Sequence, residues 1–135
     1  MYHNLIIVGN VGKDPEMRYT PAGQAVTSFS VATNRTYTTG TGDHVKETVW
    51  FRVSTWGKTA EVCKQYLKQG SKVLVEGRLT PDKVTGGPRV WQAKNGSYTS
   101  SFEVTATAVQ FIGSKNDKPS EATDEELPEE GELPF

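Results

Sequence analysis

The sequence predicts an all-β domain, a small five-stranded barrel carrying one short helix, followed by an acidic tail. Three observations lead there. The apolar residues fall in short runs rich in valine, isoleucine, threonine and aromatic types, the composition strands prefer. Glycine and proline punctuate the chain between those runs. Only one stretch, residues 58–69, has the apolar spacing of an amphipathic helix.

The elements follow in order. LIIVG at 5–9 is a short apolar run closed by glycine and reads as the first strand. Asp14, Pro15, Pro21 and Gly23 make 10–24 a loop or an irregular strand. AVTSFSVATNRTY at 25–37 is the second strand, with Phe29 and Val31 on one face and Ser28, Ser30 and Ala32 on the other. TTGTGDH at 38–44 is a glycine-rich hairpin turn. VKETVWFRVSTW at 45–56 alternates with period two: Val49, Phe51 and Val53 point one way, and Trp50, Arg52 and Trp56 point the other. In KTAEVCKQYLKQ the expected apolar stripe is Val62 and Tyr66 with Cys63 and Leu67, and Gly70 offers a stop. SKVLVEGRL at 71–79 and SFEVTATAVQFI at 101–112 are the last two strands, joined by a glycine- and proline-bearing excursion at 80–98. Five strands with a helix between the third and fourth match a Greek-key barrel of the oligonucleotide/oligosaccharide-binding type, the OB-fold.

The chain has 135 residues, enough for one domain and a short appendage. Its formal charge of −1 conceals two unlike parts. Residues 1–113 hold 13 Lys+Arg and 8 Asp+Glu, net +5; residues 114–135 hold 2 Lys and 8 acids, net −6. The basic body is therefore expected at 1–113 and a disordered acidic tail at 114–135, because the tail has too few apolar residues to offset ordering entropy. The tail ends in an apolar cluster, Leu133, Pro134 and Phe135. That ending reads either as a docking peptide or as a solubilising tail with incidental apolar residues.

The Trp50–Arg52–Trp56 face is the most informative feature. With Phe51 and its valine neighbours on the buried face, two tryptophans and an arginine are left outside. Large rings in water suit stacking on nucleobases, worth about 1–3 kcal/mol per base and tolerant of any base. Arginine can pair with phosphate or stack itself. Read from the residues alone, the same rings could instead cover a second sheet or a neighbouring subunit. Trp91 lies in the 80–98 excursion beside Arg89 and Lys94, and Tyr37 is two residues from Arg35. Aromatics with basic neighbours thus recur at strand ends and in loops, as in a groove that tracks a charged strand. A body charge of only +5 favours single strands over duplex, whose binders carry denser basic patches. A protein-interaction module and an RNA-binding protein stay open as alternatives.

Other chemistries find little support. His3 and His44 stand apart, with no acid or cysteine cluster around them, so neither a metal site nor a catalytic set is expected. Gly9–Asn10–Val11–Gly12–Lys13–Asp14 is too short for a phosphate loop and reads as a turn. One cysteine excludes an internal disulfide, and with no export pattern a reducing cytoplasmic setting is expected. No run approaches the length of a membrane helix.

Three blocks now carry a resemblance: LIIVGNVGKDPEMRYTPAGQAV, ETVWFRVSTWGKTAEVCKQYLKQGSKVLVEGRL, and a tail closing on LPF. In this order they resemble the bacterial-type single-stranded DNA-binding proteins across about residues 4–112. The resemblance implies a homotetramer of OB-folds that binds single-stranded DNA without sequence readout in replication, recombination and repair. It implies no catalysis and no cofactor. By position, Trp50, Trp56 and Tyr37 fall at stacking aromatics, Arg52 and Lys58 at basic groove positions, and Phe51 at a subunit-interface position. Arg35, Arg89 and Trp91 complete the expected DNA-binding set. The tip Glu132, Leu133, Pro134 and Phe135 is the implied docking site for genome-maintenance proteins. Two departures stand out. The 80–98 excursion is longer than in the best-known members, and the tail reads EGELPF where consecutive aspartates usually precede Ile-Pro-Phe.

Overall fold

The computed structural model describes residues 1–114. The expected disordered tail and its tip, Glu132 to Phe135, lie outside the described residues. The elements are β1 (Leu5–Val11), β2 (Glu16–Tyr19), β3 (Ala25–Thr38), β4 (His44–Trp56), α1 (Gly57–Tyr66), β5 (Ser71–Leu79), β6 (Val90–Gln92), β7 (Tyr98–Ser100) and β8 (Phe102–Ser114).

Five of the strands close a barrel. Their order is β1-β5-β8-β4-β3, and a further pairing of β1 with β3 completes the ring. β4 and β8 run parallel, whereas the other barrel neighbours are antiparallel. The closed, all-β OB-fold expected from the sequence is therefore present, with one short helix. Closure depends on β1 serving two partners: it pairs with β5 from Leu5 to Asn10 and with β3 at Asn10 and Val11. Gly9 lies at this crossover, where a Cβ would overlap the Ala32 carbonyl oxygen. Only a residue without a side chain lets β3 approach so closely.

Inward-facing residues fill the barrel. Ile7, Val11, Phe29, Val31, Val53, Val73, Val75 and Val104 form one cluster, joined by Cys63 and Leu67 of the helical segment. β-Branched side chains dominate because they are stiff and suit the pleated surface. The helix closes one end. Thr27 Oγ1 donates to the Ala60 carbonyl at 2.7 Å, and Thr55 Oγ1 donates to the Thr27 carbonyl at 2.9 Å. Both hydroxyls are buried and satisfied, so they anchor α1 to β3 and β4 at little desolvation cost.

The structure corrects two details and decides a third. The buried stripe of the helical segment is Ala60, Cys63 and Leu67, while Tyr66 is exposed and leans on Phe111 at 6.1 Å between ring centroids. Small Ala60 and Cys63 fit where the threonine anchors draw the helix close, and a tyrosine does not. The irregular stretch 10–24 contains a real strand, β2, paired with β3 from Glu16↔Ser28 to Tyr19↔Ala25. The 80–98 excursion runs into a two-stranded hairpin, β6–β7, with Val90↔Ser100 and Gln92↔Tyr98 in register. Ahead of it, Asp82 shapes a tight loop by accepting from the backbone N–H groups of Thr85 and Val84. These bonds hold its carboxyl below the usual carboxylate range.

Burial pushes the Cys63 thiol up to about 11, against an opposing hydrogen bond with Thr55. In the unfolded chain the thiol ionises near its ordinary value of about 8.5. Between these values the unfolded state binds fewer protons than the native state, so stability falls as pH rises through this window. Urea unfolding at pH 8 and pH 10.5 should show a decline that Cys63→Ala reduces. An equal decline in both proteins would refute a buried, neutral thiol.

Candidate nucleic-acid interface

β4 builds the site. It lies between β3 and β8, and its continuous ladder with β3 runs from Val26↔Trp56 to Thr38↔His44. Burying Val53 and Thr55 turns Trp50, Arg52 and Trp56 outward. Trp50 is 52% and Trp56 42% exposed. At about 3.4 Å per residue the two rings are spaced about 20 Å apart along the strand, with Arg52 between them.

The neighbours on β3 are small. Ala32 pairs with Trp50, Ser30 with Arg52, and Ser28 with Ser54. Trp50 and Arg52 therefore stand above a low floor, whereas Trp56 pairs with buried Val26. Trp50 also lies over Gly12, where a Cβ would come within 2.5 Å of the ring. Gly12 is held by its own N–H, which donates to the Ser30 carbonyl at 2.9 Å. Beside the ring is an open cleft of about 520 Å³ lined by Asn10, Asn34, Gln69 and Gly70 among others. Thr48 donates to Asn34 Oδ1 at 2.7 Å, which leaves the Asn34 amide nitrogen to donate into the cleft.

Arg52 is exposed and has no ion-pair partner among the described residues. It borders a smaller hollow with Lys13, Asp14, Glu16, Ser28 and Ser30. On its other side, β8 places Glu103 in register with it. That acid engages Arg89 instead, whose Nε donates to Glu103 Oε2 at 2.9 Å. Arg89 in turn lies over the Trp91 ring, 4.7 Å from its centroid. The excursion is thereby tied through Glu103 to the Arg52 row.

Arg35 and Tyr37 are placed differently. They occupy the odd-numbered face of the β3–β4 ribbon, opposite Asn34, Trp50 and Arg52, where the ribbon extends beyond the barrel. Arg35 lies over Tyr37 at 4.8 Å and pairs with Glu47 at 3.3 Å. Both charged side chains of that pair are largely open to water, so its energetic contribution is small. Lys58 is exposed on the first turn of α1 and lines a separate groove against β8 with Val62 and Phe111. Phe51 is half-buried, packed on the core and 6.1 Å from Phe102 between ring centroids.

The expected residues thus form one contiguous group, Trp50, Arg52, Trp56, Arg89 and Trp91, and two outliers, the Arg35–Tyr37 pair and Lys58. Sequence reading missed Gly12, Asn34 and Glu103. Each acts on a partner distant in the chain, and no local pattern marks them. Among the described residues no group of three or more His, Cys, Asp or Glu could hold a metal ion, and no helix is long and apolar enough to cross a membrane.

The chain is 39% identical over 115 residues to a single-stranded DNA-binding protein of Wolinella succinogenes, covering 85% of this chain and 67% of that one. It is 36% identical over 124 residues to the single-stranded DNA-binding protein of Neisseria meningitidis serogroup A, covering 92% and 67%. A deletion mutant of the single-stranded DNA binding protein from Thermus aquaticus superposes with a TM-score of 0.63 at 27% identity, over 81% of this chain and 49% of that chain. This chain thus spans about two thirds of the length of the curated relatives and about half of the Thermus aquaticus chain. The Plasmodium falciparum SSB complex with ssDNA gives a TM-score of 0.68 at 23% identity, over 83% and 96%, a likeness of fold. The model of the Single-strand binding protein family matches residues 2–112, and the chain belongs to that family.

Proposed function

We propose that this protein binds single-stranded DNA without sequence readout, through base stacking on Trp50, Trp56 and Trp91 and phosphate contact at Arg52. The observation that carries this reading is the outward row of β4. Trp50 and Arg52, the latter without an ion pair among the described residues, stand over a floor of serine and alanine, and Trp56 continues the row opposite Val26. Stacking suits a sequence-independent binder, since every base has a π-face. Tyr37 with Arg35, and Lys58, extend the contact on flanking surfaces. Residues 1–113 form the binding domain, and no catalytic step or cofactor is involved.

Family membership supports a wider role: protection of single strands in DNA replication, recombination and repair, in the cytoplasm at the nucleoid. The tail, 114–135, recruits partner proteins through Glu132, Leu133, Pro134 and Phe135. Assembly as a homotetramer is supported by the outer face of β1 and β5. Ile6 is 64% exposed, and Val8, also exposed, pairs with half-buried Leu74. An apolar patch of this kind on a barrel exterior is suited to cover by another copy.

Three experiments test these readings. Titration with a long thymidine homopolymer should quench tryptophan fluorescence strongly, and Trp50→Ala or Trp56→Ala should each cost about 1–3 kcal/mol of binding. Wild-type affinity in both variants would refute the stacking face. Because the tail carries −6 and the body +5, deleting 114–135 should tighten binding, most at low salt where charges are least screened. Equal affinity of the two forms at low salt would exclude competition by the tail. Light scattering should give four chains for the wild type and fewer for Ile6→Glu combined with Val8→Glu. A wild-type monomer would rule out the assembly.

A further inference from the structure

Trp91 differs from the tryptophans of β4 in what supports it. Trp50 rests on the barrel through Gly12. Trp91 belongs to a two-stranded hairpin outside the barrel sheet, where β6 pairs only with β7. A ring there needs another anchor, and the described contacts supply one chain of them. Glu103 accepts from Arg89 Nε at 2.9 Å, and the Arg89 guanidinium lies over Trp91 at 4.7 Å.

Glu103 is suited to this task. Its side chain is only 19% exposed, compared with 46% for Glu47 in the analogous Arg35 pair. Its strand position is fixed on both sides: β4 holds it in register with Arg52, and its carbonyl accepts from the Thr80 N–H at 2.7 Å. A shielded carboxylate bonded to guanidinium is stronger and less screened than an open one. Arg89 is fixed at the guanidinium by Glu103 and lies over the ring, which remains 37% exposed.

We infer that Glu103 is a positioning residue of the DNA interface: it holds Arg89 against Trp91 and so fixes the ring for stacking. The inference rests on the proposed binding of single-stranded DNA. It has an unusual sign. On charge alone, an acid at a phosphate-binding surface weakens binding, so its removal should help. Through Arg89 and Trp91, its removal should harm.

The test is Glu103→Gln in the full chain, titrated with a thymidine homopolymer beside wild type. Glu61→Gln on the exposed side of α1 serves as the control for losing one negative charge. Affinity for Glu103→Gln should fall roughly three- to tenfold, within the worth of one stacking contact. Arg89→Gln, an exposed loop change that spares the barrel, should give a similar loss. The double variant should lose little more than either, because the two side chains act as one unit. Trp91 is then followed alone, in a background with Trp50→Phe and Trp56→Phe, without DNA. Glu103→Gln should raise its accessibility to acrylamide, a readout that general charge or stability effects do not move. Unchanged or tighter binding, additive losses, or unchanged Trp91 accessibility would each overturn the inference. If wild type fails to bind the homopolymer, the proposed function falls, while the acrylamide experiment still decides whether Glu103 positions Trp91.

Discussion

The register of β4 is the constraint on which the rest depends. It sits between β3 and β8, and from Val49 to Trp56 each of its residues faces either the core or the proposed DNA surface. A slip of one residue would bury Trp50, Arg52 and Trp56 and expose Val53 and Thr55. Several features oppose that slip. Val53 and Thr55 are completely buried, and Thr55 donates to the Thr27 carbonyl. Thr27 in turn holds the helix through Ala60. The bonds that dock the helix therefore also fix which way the tryptophans face. Packing inside the barrel and presentation outside it are two consequences of one alignment.

The charges on the outer surface differ in state. Arg52 has no ion pair among the described residues, and the open Arg35–Glu47 pair is weak. Arg89 is committed to Glu103 and to a ring. A net charge of +5 for the body treats all of these as equal. Counted by availability, Arg52 makes no ion pair among the described residues, although Asp14 and Glu16 border the same hollow, whereas Arg89 is engaged by Glu103 and the Trp91 ring. The surface relies more on rings than its charge suggests, which accords with binding single strands by stacking rather than duplex by phosphate contacts.

Much of this was legible in the sequence because the signals are local. Strict alternation in 45–56 identified both the strand and its outward face, and a single helical stretch located the helix. The failures share a cause. β2 is only EMRY, too short and polar to be distinguished from the loop that Asp14 and Pro21 suggest. Residues 90–92 and 98–100 are strands because they pair with each other, not because of their composition. Tyr66 looked like core because it fits a helical stripe, but the depth of the stripe is set by threonines on other strands. Gly12 supports Trp50 from 38 residues away. The Arg35–Tyr37 pair has the right chemistry, yet its parity relative to Trp50 depends on the β3–β4 register, which no local pattern reveals.

How rings are held bears directly on affinity. Three stacking rings at about 1–3 kcal/mol each would contribute about 3–9 kcal/mol per domain before any ordering cost. That cost is about 0.5–1.5 kcal/mol for each side chain fixed on binding, so a loosely held ring can forfeit most of its stacking energy. Trp50 avoids it by lying on Gly12, and Trp91 avoids it by lying under Arg89. The acid that fixes Arg89 is therefore compatible with a surface for polyanions. One unfavourable charge, already neutralised by its arginine, costs little, while an unsupported ring on a peripheral hairpin costs a base contact. On this argument a sequence-independent binder is selected for preset ring geometry, and its acidic residues are tolerated where they supply it.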